Sequence, residues 1–276
     1  MRILSHPAVA AFCALFLWWF STGVVLYIVG RRNSSSPWCL LATVTLFAAA
    51  LYGLARSGGD TTVAGAYIAF TCAVLLWGTQ EFGFLTGVVT GPRDQACPEG
   101  CIGWRRAMMA IETILYHEVA LIVSGVAIMA VTWAAENRIG TWTFLILWTM
   151  RVSAKLNLFF GVPVLNHEFL PARLGYLTSF FTRKPIGLFF TLTVTAATVL
   201  TTLLVTVALA GDASVSQSTG LMLLASLMAL GLLEHWFMVL PLPIAALWSW
   251  GLRSRETASL ASDARARGIV TKVPEA

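Results

Sequence analysis

Seven apolar stretches, each long enough for a membrane helix, alternate with short polar segments along the chain. A bilayer core of about 30 Å needs about 20 apolar residues per helix. The stretches run from Val9 to Gly30, Trp38 to Ala55, Val63 to Thr90, Ala107 to Ala134, Thr141 to Phe160, Ile186 to Ala210 and Leu221 to Trp250. RRNSSSP, RSGGD, GPRDQACPEG, ENRIG and GDASVSQSTG punctuate them, rich in residues that stop helices and form turns. The pattern predicts an all-α polytopic integral membrane helical bundle of about seven transmembrane helices. It fills residues 1–252 and leaves a short polar cytoplasmic tail at 253–276.

Composition strengthens that reading. Of 276 residues, 58% are hydrophobic and only 11% are charged, against about a quarter in ordinary soluble domains. So few charges could not cover a water-exposed surface of this size. The segment Met1 to Pro7 is a weak n-region, and no A-x-A site closes the first stretch, so that stretch is read as a retained span.

The net charge of +5 is a matter of topology. With seven spans, fifteen of the eighteen Lys and Arg residues fall on the side of the C-terminus, leaving Arg2, Arg56 and Arg138 on the other. The positive-inside rule then puts the N-terminus outside and the C-terminus in the cytoplasm. No basic run is interleaved with aromatics, so no nucleic-acid partner is expected and the bilayer is the main one. Five cysteines make no disulfide framework. Only Cys97 and Cys101 share a loop, and no further cysteine completes a zinc site there.

The informative charges are those in the wrong solvent. Glu81, Glu112, Glu118 and Glu234 lie inside the stretches, His117 and His235 sit beside two of them, and Asn166, His167 and Glu168 follow in the loop after the fifth. An intramembrane ionisable group costs at least about 2.5 kcal/mol on insertion scales, so each needs a partner, a cavity or a cofactor. Glu81 and Glu112 lie about 10–14 Å from the cytoplasmic loop at helical rise. Glu234 precedes Pro241 and Pro243, which break the last span on that same side. Arg151 and Lys155, one helical turn apart, are placed to balance these acids.

Two chemistries suit such a set. Carboxylates with imidazoles suit iron, manganese or zinc, giving Glu81, Glu112, His117, Glu118, His167, Glu168, Glu234 and His235 as metal candidates. Imidazole is also a tetrapyrrole ligand, giving His117, His167 and His235, with Trp236 and Phe237 lining a flat apolar molecule. The bland alternative is a buried polar network with Arg151 and Lys155 that fixes helix packing. The spacing departs from the di-iron bundle pattern of Glu-x-x-His, since Glu112 and His117 lie about 140° apart around a helix. Trp18, Trp19 and Trp38 read as interfacial anchors. There is no nucleophile elbow, Ser/His/Asp set, HExxH, phosphate loop or internal repeat.

Several strings together resemble a known family: EFGFLTG (81–87), GPRDQACPEGCIGWRR (91–106), ILYHE (114–118), LWTMRVSAKLNLFFGVPVLNHEFLPARLGYLTSFF (147–181) and LEHWFMVLPLPIAALWSW (233–250). They are similar to the PuhE-type photosynthetic complex assembly proteins, encoded beside the reaction-centre H subunit in purple phototrophic bacteria. The resemblance covers about residues 5–252. It implies an inner-membrane factor for assembly of the reaction-centre/light-harvesting complex and for modulation of bacteriochlorophyll production. Partners would then be reaction-centre or light-harvesting subunits or other assembly factors, and the ligand bacteriochlorophyll or a precursor. It carries over no catalytic residue. The rival expectation is an intramembrane metal-carboxylate (di-iron-like) oxidoreductase acting on a tetrapyrrole or quinone-type substrate. A transporter or proton relay is disfavoured by the missing inverted repeat.

Overall fold

The computed structural model describes residues 3–31 and 33–253; the tail reading lies outside them, apart from Arg253. Among the described residues there are seven long α-helices: α1 (Pro7–Val29), α2 (Pro37–Ser57), α3 (Val63–Leu85), α4 (Gly103–Val131), α5 (Ile139–Phe160), α6 (Leu188–Leu209) and α7 (Val215–Phe237). A connector between α5 and α6 carries 3₁₀ turns at His167–Phe169 and Ala172–Phe180, and another turn, Ile244–Trp248, follows α7. No strand forms among these residues, only an isolated bridge between Val162 and Arg183. The chain is an all-α helical bundle.

Helix starts follow from local chemistry. Ser36 and Thr62 accept hydrogen bonds from the backbone N–H groups of Cys39 and Gly65, satisfying donors that the first turn leaves orphaned. Ser214 and Gln217 form a reciprocal capping box, which starts α7 at Val215, ahead of the apolar run that predicted Leu221. The same run was expected to reach Trp250. The helix instead stops at Phe237, and Pro241 and Pro243 lead into the 3₁₀ turn. The third helix likewise ends at Leu85, where Thr86 caps it and Gly87 turns the chain at φ 75°.

Six helices are long and apolar enough to cross a membrane: α1, α2, α3, α4, α6 and α7. This makes the protein a multi-pass membrane protein. The seventh, α5, has 22 residues but carries Arg151, Lys155 and Asn157 in its second half. It packs against α3, α4, α6 and α7, so protein rather than lipid receives those groups. Helices α1, α3, α5 and α7 form the centre, while α2 lies against α3 and α6 against α7. Cores of small, aliphatic and aromatic residues hold them, such as Ala10, Ala14, Phe70 and Leu223 between α1, α3 and α7. Polar residues do the same at the loops: Asn137 donates to the carbonyls of Ser57 and Asp60, closing the α4–α5 loop onto the α2–α3 loop.

Candidate functional site

The second half of α5 places Arg151, Ala154 and Lys155 towards α1, α3, α4 and α7, and the space between these helices is a cavity of about 420 Å³. Most of its wall is apolar and aromatic, with Trp77 and Phe84 from α3, Phe237 from α7 and Trp248 from the last turn. The connector closes one end with Asn166, Phe169 and Phe181. Charge enters at four side chains: Glu81, Arg151, Lys155 and Glu234. Small-molecule sites span roughly 300–1,000 Å³ with mostly apolar walls and a few placed polar groups, and this cavity matches that description.

The ionisable residues meet partners one by one. Arg151 donates to Glu81 at 2.5 Å, and Lys155 donates to Glu118 at 2.5 Å. Lys155 also lies 5.7 Å from the centre of the Phe84 ring, within cation–π range. Glu234 accepts from the indole Nε1–H of Trp18 at 2.7 Å. His235 is buried, with Ser153 Oγ 2.8 Å from Nε2 and the Gly231 carbonyl 2.8 Å from Nδ1. Both of its nitrogens are engaged, which makes it a strut between α5 and α7.

The eight metal candidates are therefore not brought together. Among the described residues no group of three or more His, Cys, Asp or Glu side chains stands close enough to hold a metal ion. Glu81 and Glu118 face cations instead, and Glu112 lies outside the cavity lining. His167 and Glu168 are exposed on the connector. Of the tetrapyrrole candidates, Trp236 is 41% exposed and turns its ring against Phe190, away from the cavity. Its neighbour Phe237 takes the lining position, because adjacent residues on a helix point about 100° apart.

His117 differs from every other histidine. It is fully buried, and neither ring nitrogen has a hydrogen-bond partner. Its ring rests on Phe84 with centroids 4.6 Å apart. The residues after α3 fold back against α4 at this level. His117 N–H donates to the Thr90 carbonyl at 2.9 Å, and Arg93 N–H to that of Glu112 at 3.4 Å. Gly91 permits the approach, since a Cβ there would overlap the α4 backbone between Glu112 and Ile114.

Other residues matter that the sequence reading gave ordinary roles. Trp18 and Trp19 were expected as interfacial anchors, but both face inward, and Trp19 Nε1–H donates to the Leu247 carbonyl at 2.9 Å. Trp248 returns the bond to the Trp19 carbonyl at 2.8 Å, so α1 and the last turn are clasped reciprocally. Trp38, 80% exposed, remains outside. Arg106 and Arg173, counted above only as topology charges, pin the connector. Arg106 donates to the Phe180 carbonyl at 2.6 Å and to Thr182 Oγ1 at 2.7 Å, and Arg173 to the Thr86 carbonyl at 2.8 Å. The spacing of tryptophans and arginines in sequence carries no signal for these roles.

Cys97 and Cys101 are joined in a disulfide with Cα atoms 6.2 Å apart. The intervening Pro-Glu-Gly makes a tight turn, with Gly100 at φ 75° and Cys101 N–H donating to the Pro98 carbonyl. Cysteine counting seeks frameworks and misses a bridge this local. The loop is tied to the connector through Cys97 N–H, which donates to Ser179 Oγ at 2.8 Å.

Fold and cavity thus define a class: a polytopic helical membrane protein whose bundle encloses a largely apolar cavity with ion-paired charges in its wall. Within that class the chain belongs to the family described as protein of unknown function DUF3623, whose model matches residues 4–259. It is 40% identical over 258 residues, 92% of this chain and 93% of the relative, to a Rhodobacter capsulatus protein named as an uncharacterized 30.4 kDa protein in the puhA 5' region. No solved structure matches the chain.

Proposed function

We propose that the protein is an inner-membrane factor for assembly of the bacterial reaction-centre/light-harvesting complex, and that it works by holding a tetrapyrrole pigment or precursor in the bundle cavity. The observation that carries this reading is the cavity itself, about 420 Å³ with aromatic walls and charged groups gathered around Arg151. Among the described residues, the acids on the wall are engaged by Arg151 and by the Trp18 indole. Such a wall suits a large apolar ring with a polar edge, the ring packing on Trp77, Phe84 and Trp248. The relative's place in the puhA 5' region supports a link to photosynthesis. So does the resemblance to proteins encoded beside the reaction-centre H subunit. In this reading the N-terminus is periplasmic, and the connector faces the cytoplasm where pigment precursors are handed over.

The test is purification in mild detergent from a pigment-making host, followed by an absorption spectrum and identification of co-purifying subunits. Near-stoichiometric tetrapyrrole supports the reading. Protein free of both tetrapyrrole and photosynthetic subunits overturns it.

A further inference from the structure

We infer that His117 is a latent axial ligand for the central metal of a metallotetrapyrrole bound in the cavity, with the Phe84 ring as its cover. The inference rests on the pigment-holding reading above and adds to it a ligating atom and a moving part.

A buried polar group without a partner costs about 1–3 kcal/mol, and a fully buried imidazole with both nitrogens unpaired calls for an explanation. His117 is such a group, and its neighbourhood points to a ligand. Phe84, the ring stacked on it, lies on the cavity wall. So does Thr113, one helical turn earlier on the same face of α4. His117 is not itself on the cavity wall; Phe84 touches both the imidazole and the cavity, and the inferred moving part is a swing of that ring that opens one to the other. The helix is braced for this at the same point, because the Thr90 carbonyl and Gly91 clamp its backbone between Glu112 and His117.

The other histidines do not compete. His235 has Ser153 and Gly231 on its two nitrogens, His167 is exposed on the connector, and His6 caps α1 through Nδ1. Ligation needs no redox partner. One imidazole nitrogen donates its lone pair to the vacant axial position of the metal, and the other keeps its proton. A magnesium or zinc tetrapyrrole with one open axial site is the ligand class that fits a neutral imidazole in an apolar niche.

The experiment uses the full chain, purified from a host that makes no bacteriochlorophyll and titrated with zinc protoporphyrin and with metal-free protoporphyrin. Affinity is read by fluorescence, and axial ligation by the red shift of the main absorption band. Wild-type protein is expected to bind both porphyrins, with the shifted band for zinc. His117→Leu keeps metal-free binding, loses the shifted band and binds the zinc complex at least roughly tenfold more weakly, since even groups that merely orient a ligating imidazole are worth about 10- to 100-fold in metal affinity. In His117→Gly, added imidazole restores the band, a rescue that a structural role for His117 would not give. Phe84→Ala makes the band appear faster on mixing. A shifted band that persists in His117→Leu, or that disappears in His235→Leu instead, overturns the assignment. Wild-type protein that binds both porphyrins without a shifted band overturns it too, while leaving the pigment-holding reading intact. Failure of either porphyrin to bind removes that reading and this inference with it.

Discussion

Replacing Glu81 with Gln removes the carboxylate paired with Arg151 inside the bundle, leaving only the more distant Glu234 on the same wall, and the cost can be worked from the geometry. The pair is in contact, with side chains 36% and 13% exposed. At an effective dielectric of about 20 and a charge separation of about 4 Å the attraction is about 4 kcal/mol. Breaking a fully buried pair costs about 3–5 kcal/mol, mostly from the charge left behind. Arg151 is partly exposed to the cavity, which screens it, so about 2 kcal/mol is expected for Glu81→Gln and the same for Arg151→Gln. The double substitution removes both charges and is expected to cost about 1 kcal/mol, a coupling of about 3 kcal/mol. Unfolding by sodium dodecyl sulfate in mixed micelles, followed by far-ultraviolet circular dichroism, measures all three. The reasoning is refuted if the singles each cost less than about 0.5 kcal/mol and simply add, as exposed pairs do.

Three further outcomes follow from single contacts. Gly91→Ala pushes a methyl group into the α4 backbone; it is expected to lose about 1–3 kcal/mol and to increase protease cutting in the 86–102 loop, whereas wild-type cutting rates would count against the clamp. Ser153→Ala removes the hydroxyl from His235 Nε2, with an expected loss of about 1–3 kcal/mol in the same denaturation assay; an unchanged midpoint would mean that His235 is not a strut. With the 86–102 loop in the cytoplasm, where thiols are kept reduced, Cys97 and Cys101 are expected as free thiols when cells are quenched with an alkylating agent, and as the bridge after air oxidation. An oxidised pair in quenched cells would instead put that loop on the periplasmic side.

The bundle was legible because lipid imposes a simple rule: about 20 apolar residues, then punctuation. The limits of that rule appear where helices are not lipid-facing. Apolar residues continue from Leu85 to Thr90 and from Met238 to Trp250, yet the helices have already ended, because this backbone is sheltered by α4 and by α1 respectively. Charged residues inside spans pointed to Glu81 and Glu234, which line the cavity, and to Glu118, which pairs with the cavity residue Lys155. What hydropathy could not supply was direction around each helix. Trp236 and Phe237 are neighbours in sequence, and only Phe237 reaches the cavity. Trp18 is indistinguishable by composition from an interfacial anchor, and only the approach of α1 to α7 sets it on Glu234. Acids and imidazoles at one depth on different helices likewise face different neighbours, and among the described residues no three or more of them gather.

The most direct test of the account compares the wild-type chain with a variant whose cavity is filled. Gly78 lies on the cavity wall, and a Cβ built there meets nothing within 4 Å, so Gly78→Phe is the substitution expected to add bulk to the cavity. Both proteins are produced in a pigment-making host, matched for membrane abundance, and their absorption spectra are recorded after mild-detergent purification. The account predicts tetrapyrrole absorption in the wild-type sample and its loss in Gly78→Phe at equal protein. Equal pigment in the two samples, or none in the wild type, would contradict it.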